Sequence, residues 1–133
     1  MRAKLYAAIY NPRMGNYKHF ALYLKNGEED TIYEAIGDWP NFEHNIIVNS
    51  SPLKTTRFLA MMLVGEINQA EVPTVKRILE QARVDNETVH WNCQDVVVEN
   101  ADEIVNDCLT TDDDDWTGKN KGRDQLMQHY GPM

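Results

Sequence analysis

The chain has 133 residues, 42% of them hydrophobic, and its 13 Lys and Arg against 21 Asp and Glu leave a net charge of −8. That length suits one domain with a core of its own, and the acidic balance argues against nucleic acid or an anionic membrane surface as a main partner. No apolar stretch reaches the length of a membrane span, Met1-Arg2-Ala3-Lys4 leads into an alternating segment and not a secretory signal, and there are only two cysteines, Cys93 and Cys108. These features predict a reduced, cytoplasmic protein without a membrane anchor. Oligomeric state is not legible.

In chain order, Lys4 to Tyr10 alternates as a strand, with Leu5, Ala7 and Ile9 on one face. Asn11 to Asn16 breaks regular structure as a loop. Lys18 to Lys25 is the clearest strand, with Phe20, Leu22 and Leu24 set against His19, Ala21 and Tyr23. Asn26-Gly27 marks a hairpin turn, and Thr31 to Ile36 is the returning strand. A further strand covers Asn45 to Asn49. The apolar run Phe58 to Ile67 is most simply a buried central strand, although its pattern also fits a short helix.

Helices follow. Pro73 suits the first turn of a helix through Arg83, whose stripe is Val72, Val75, Ile78, Leu79 and Ala82. Asn92 suits an N-cap, which opens a second helix at Cys93 with Val96, Val97, Ala101, Ile104, Val105 and Cys108 inward. If that helix carries both cysteines they stand roughly 22 Å apart, beyond disulfide reach. Thr110 to Gly118 is acidic and polar, and Arg123 to Tyr130 forms a last short helix. Strands first and helices later predict an α+β domain, an antiparallel sheet packed against helices. Its body is residues 1–109, with an acidic linker and C-terminal helix at 110–133.

The segment Trp91-Asn92-Cys93-Gln94-Asp95 is where chemistry is expected. Unpaired amides and the positive end of the helix dipole favour a thiolate in the first turn. The same amides can hold the oxyanion formed when a thiolate attacks a carbonyl. The plainer reading is a small buried hydrophobe. A catalytic thiol needs a base, normally a histidine. Of the four histidines, His129 lies near the C-terminus, nothing beside His44 suggests a function, and His90 falls outside the helix that Asn92 caps. His19 sits on a well-formed strand, opposite Phe20, Leu22 and Leu24, and is the best candidate. No Gly-rich phosphate loop, zinc-ligand spacing or calcium loop is present, so no cofactor and no metal are expected.

Lys18-His19-Phe20-Ala21-Leu22-Tyr23-Leu24, followed some seventy residues later by Asn92-Cys93-Gln94-Asp95-Val96, resembles the permuted papain-like thiol enzymes. These are the lecithin:retinol acyltransferase-like group within the NlpC-like peptidase superfamily, in which a strand carrying the base precedes the helix carrying the nucleophile. The Asn-Cys-Gln-Asp variant also resembles small fungal proteins, a likeness that brings no activity with it. The resemblance covers roughly residues 17 to 105. It implies a circularly permuted papain-like (NlpC-like) arrangement and a cysteine-dependent hydrolase or acyltransferase. The substrate would be a small molecule or peptide with an ester, thioester or amide, attacked through an acyl-enzyme at Cys93 with His19 as base.

Where the group's acyltransferases carry a second histidine to orient the first, this chain has Tyr33, with Glu34 beside it. Alternation favours Tyr33 and chemistry favours Glu34, and a bulge would swap the faces. Gln94 and Asp95 stand in place of the group's Glu-His pair, and either lines the cleft or occupies an exposed first turn. Tyr23 is a further substrate-binding candidate, with sheet coverage as its plainer role. The competing expectation is a non-catalytic interaction module on the same fold, its acidic surface meeting a basic partner.

Overall fold

Alternating apolar residues in the first half of the chain give each strand one face for a helical layer, and five strands pair on that basis. The computed structural model describes residues 2–12, 18–111, 115–118 and 120–131. Its strands are β1 (Ala3–Tyr10), β2 (His19–Asn26), β3 (Glu29–Ile36), β4 (Glu43–Val48) and β5 (Phe58–Ile67). Its helices are α1 (Val72–Glu80), α2 (Cys93–Asn106) and α3 (Gly122–Tyr130). The expected loop residues 13–16 and the acidic run 112–114 lie outside the described residues.

The strands form one antiparallel sheet in the order β4-β3-β2-β1-β5. Together with the helices they make an α+β fold. One face of the sheet, including Leu5, Ala7, Ile9, Phe20, Leu22, Leu24, Tyr33 and Ala35, shares a buried core with Val75 and Leu79 of α1 and Val96, Val97, Ala101 and Ile104 of α2. The opposite face carries a smaller cluster of Ala8, Tyr10, Ala21, Tyr23 and Ile32. No helix among the described residues is long and apolar enough to cross a membrane.

Two expectations are corrected. β5 is an edge strand and not a central one, and Leu59, Ala60, Met61 and Met62 along it are exposed or only half-buried. Helix α2 stops at Asn106, so Cys108 leaves the apolar stripe. It sits exposed in a left-handed backbone conformation, with φ at 58°. The C-terminal segment packs on the sheet-and-helix body, with Trp116 and Leu126 fully buried in the main core.

One irregularity of the sheet creates the site. The β1–β2 ladder runs up to Tyr10↔His19 and the β3–β4 ladder up to Ile36↔Glu43. The β2–β3 ladder between them stops at Leu22↔Tyr33. The start of β2 and the end of β3 therefore part, leaving a fork in the sheet at residues 19–21 and 34–36. Helix α2 packs on β2 and β3, and its N-terminus meets this fork.

Candidate active site

His19 opens β2 on the sheet face away from the helices, held between neighbours on both sides. Tyr10 pairs with it across the ladder and packs against its ring, with 5.6 Å between ring centres. Glu34 of β3 lies on the same face. The closing pair Asn26↔Glu29 leaves a two-residue loop, and the register it sets puts even-numbered β3 residues beside odd-numbered β2 residues. His19 Nε2 donates to Glu34 Oε1 at 2.6 Å, and Asn45 Nδ2 of β4 donates to Glu34 Oε2 at 2.8 Å. Both carboxylate oxygens are thus engaged.

Cys93 comes to the imidazole from the other side. Asn92 Oδ1 accepts the Gln94 amide at 2.8 Å, and Asp95 Oδ2 accepts the Asn92 amide at 2.8 Å, a reciprocal capping box. The cap uses the amides of Gln94 and Asp95 and leaves out that of Cys93. Gln94 Nε2 ties the helix start to Lys18 O at 2.8 Å, directly before His19. Trp91 packs edge-on against Phe42, which follows β3, with ring centres 5.6 Å apart. Anchored on both arms of the fork, the helix start carries Cys93 through the sheet. The residue is 4% exposed, belongs to the helix-side core and also lines the cleft on the opposite face. Its thiol interacts with His19, and both side chains line the cleft. With Nε2 committed to Glu34, Nδ1 is the ring nitrogen left for sulfur.

The electrostatics follow from these contacts. Burial lowers the His19 pKa, but hydrogen bonds to Cys93 and Glu34 and their charges outweigh it and raise the value to about 9. Burial raises the Glu34 pKa, yet the bonds from His19 and Asn45 prevail and hold it below the usual carboxylate range. The result is an imidazolium on a carboxylate, facing a thiol at a helix start. Among the described residues, no group of three or more His, Cys, Asp or Glu side chains is arranged to hold a metal ion.

A cleft of about 660 Å³ opens over this pair, with His19, Glu34, Asn45 and Cys93 in its lining. A family model matches residues 5–111, which cover β1 from Leu5 onward, β2 to β5, α1 and α2. The chain belongs to DUF6540, a family of unknown function. No curated protein and no solved structure matches it.

Not every expected residue of this DUF6540 chain reaches the cleft. Cys93, His19 and Glu34 converge. Tyr33 does not: it points into the helix-side core, 3% exposed, and burial raises its pKa to about 12. Tyr23 shares the face of His19 but lies farther along β2, outside the cleft, with its hydroxyl donating to Asp30 at 2.8 Å and its ring stacked on Tyr6. Gln94 is neither exposed nor in the cleft. It is buried as the tether described above and also donates to Tyr130 O at 3.3 Å. Asp95 serves the cap. His90 and His129 are exposed, and neither they nor His44 line the cleft. Among the lining residues of this DUF6540 chain that escaped the sequence reading are Tyr10, Asn45 and Arg57. For Tyr10 a signal existed, because pairing β1 against β2 sets it beside His19; Asn45 and Arg57 depend on strand partners that sequence does not reveal.

Proposed function

We propose that this chain is a cytoplasmic cysteine-dependent hydrolase or acyltransferase on a circularly permuted papain-like arrangement. One observation carries the reading: Asn45, Glu34 and His19 form a hydrogen-bonded series whose imidazole interacts with the Cys93 thiol on a capped helix start. The order of the elements, base strand before nucleophile helix, agrees with the permuted group. The substrate is a small molecule or peptide containing an ester, thioester or amide.

The Cys93 sulfur attacks the carbonyl carbon as a thiolate, its proton resting on His19. A C–S bond forms and the carbonyl electron pair moves to oxygen, within reach of the Cys93 amide that the cap leaves out. Collapse breaks the bond to the leaving oxygen, sulfur or nitrogen, which takes the proton from His19. Water or an acceptor alcohol, thiol or amine then gives its proton to His19, attacks the thioester and releases the acyl product. Glu34 keeps Nε2 occupied throughout, so that Nδ1 handles the moving proton.

The test is the pH profile of iodoacetamide alkylation at Cys93, followed by mass spectrometry, in wild type and His19→Ala. The expected outcome is alkylation at lower pH than an ordinary thiol allows, slowed about 10²-fold or more near neutral pH when the base is lost. An inert Cys93, or one indifferent to His19, would overturn the catalytic reading and leave an interaction module.

A further inference from the structure

The cleft has a chemical gradient that the thiol chemistry does not use. Its floor is formed by alternate residues of β3 and β4: Glu34 and Asn45 at the centre, with Ile32, Ile36 and Ile47 around them. Ile36 and Ile47 are 39% and 37% exposed, an uncovered apolar strip beside the reacting groups. One wall is the segment between β4 and β5, which holds the short turn Pro52–Lys54 and then Thr55 and Arg57.

Two cations sit on that wall in a chain whose net charge is −8. Arg57 is rigidly mounted. Its carbonyl accepts the Asn11 amide at 2.8 Å, and the next residue, Phe58, pairs with Tyr10. The Arg57 side chain makes no ion pair among the described residues, although its charge is felt by both Glu34 and Tyr10. Among the described residues Lys54 Nζ donates to a backbone carbonyl, Asn49 O, at 3.4 Å and makes no ion pair. Beyond the mutually compensating His19–Glu34 pair, the described lining sets these two cations against Asp38. With Cys93 as the neutral thiol, one positive charge is in surplus. Even a Cys93 thiolate leaves the two wall cations facing one acidic side chain, Asp38, which suits a carboxylate better than a doubly charged phosphate.

We infer that the cleft selects acyl substrates bearing a carboxylate, with the carboxylate seated at Arg57 and Lys54 and an apolar portion along Ile32, Ile36 and Ile47. This rests on the acyl-transfer reading for its reacting end, but the anion seat is independent of the thiol. An arginine fork with no ion pair among the described residues offers two parallel N–H donors to a carboxylate that arrives with a ligand.

Two measurements on the full chain separate this inference from the reading beneath it. In the first, Cys93 is alkylated in parallel with iodoacetate and iodoacetamide, and the ratio of the two rates is taken within each variant. The helix start favours the anionic reagent in every variant, so the diagnostic quantity is the change in ratio. Arg57→Gln is expected to lower it about tenfold, and the more exposed Lys54→Gln to lower it less, in the same direction. In the second, Cys93→Ser protein is titrated calorimetrically with hexanoate and with its neutral isostere hexanamide. Hexanoate is expected to bind about tenfold more tightly, a preference that Arg57→Gln removes and Arg57→Lys partly keeps. Equal binding of the two probes, or a preference untouched by Arg57→Gln, would overturn the inference. Failure of Cys93 to react with either reagent would instead count against the catalytic reading, while the titration still decides the anion seat.

Discussion

Glu34 takes one bond from His19 and one from Asn45, so its charge and its position are both spoken for. The sign of its pH effect follows. His19 is raised from 6.5 to about 9, so its contribution to stability is fully present below 6.5 and is lost as pH rises through about 9. Glu34 is lowered from 4.5, so its contribution is present above 4.5 and is lost as pH falls below it. The Tm difference between wild type and Glu34→Gln should therefore be greatest between those limits, at about pH 5–6, and shrink by about pH 10. A difference that stays flat over that range would show that the pair does not carry it. The same substitution separates positioning from mere packing. Without the carboxylate the imidazolium loses its partner, so the alkaline limb of Cys93 alkylation should move below the wild-type position while the fold remains. Asn45→Ala should do less: it removes one bond to Glu34 at a cost of about 1 kcal/mol, read from urea denaturation.

Helix α2 turns a sequence signal into a placed thiol. The Asn92–Asp95 box starts the helix at Cys93 and no later, and this much was legible because capping is local chemistry. The choice between Tyr33 and Glu34 was also within reach. Any two-residue hairpin loop makes paired residue numbers sum to an odd value, which puts His19 on the face of Glu34 whichever two residues turn. Only a bulge would have reversed it, and β2 and β3 pair without one. The fork was not legible, because where a ladder stops depends on what wedges it, here an element about seventy residues away. Asn92→Ala should cost about 1 kcal/mol in urea denaturation. It should also slow Cys93 alkylation more than that loss of stability explains, since the cap sets the angle at which α2 meets the fork. Equal alkylation rates in variant and wild type would mean that the Gln94 tether positions the thiol without help from the cap.

Across the whole molecule, the features that sequence concealed are the long-range ones. The apolar run of β5 reads as a strand covered on both faces, yet it closes one edge of the sheet. There Ala60 and Met62 lean on the main core and Phe58 and Met61 on the smaller one. The acidic composition after Thr110 reads as a tether, because a single Trp116 among aspartates has no periodicity to announce burial. In the structure that tryptophan is fully buried, and its Nε1 donates to Asp102 Oδ1 at 2.8 Å. Arg123 Nε donates to the same carboxylate at 2.9 Å, so one aspartate of α2 fastens both ends of the returning chain. The turn between them is tight: a Cβ at Gly122 would stand 2.3 Å from Asp115 O, so Gly122→Ala forces backbone apart. Helix α3 then brings Tyr130 O to Gln94, beside the thiol. Removing the Trp116 side chain should cost about 3–5 kcal/mol, a large share of the roughly 5–15 kcal/mol that holds a domain of this size. Deleting residues 112–133 removes Trp116, Leu126 and the Tyr130 contact together, so that protein should lose cooperative thermal unfolding and, with it, selective alkylation of Cys93 over the exposed Cys108. A truncated chain that melts like wild type and keeps that selectivity would show that the C-terminal segment covers the core without supporting the site.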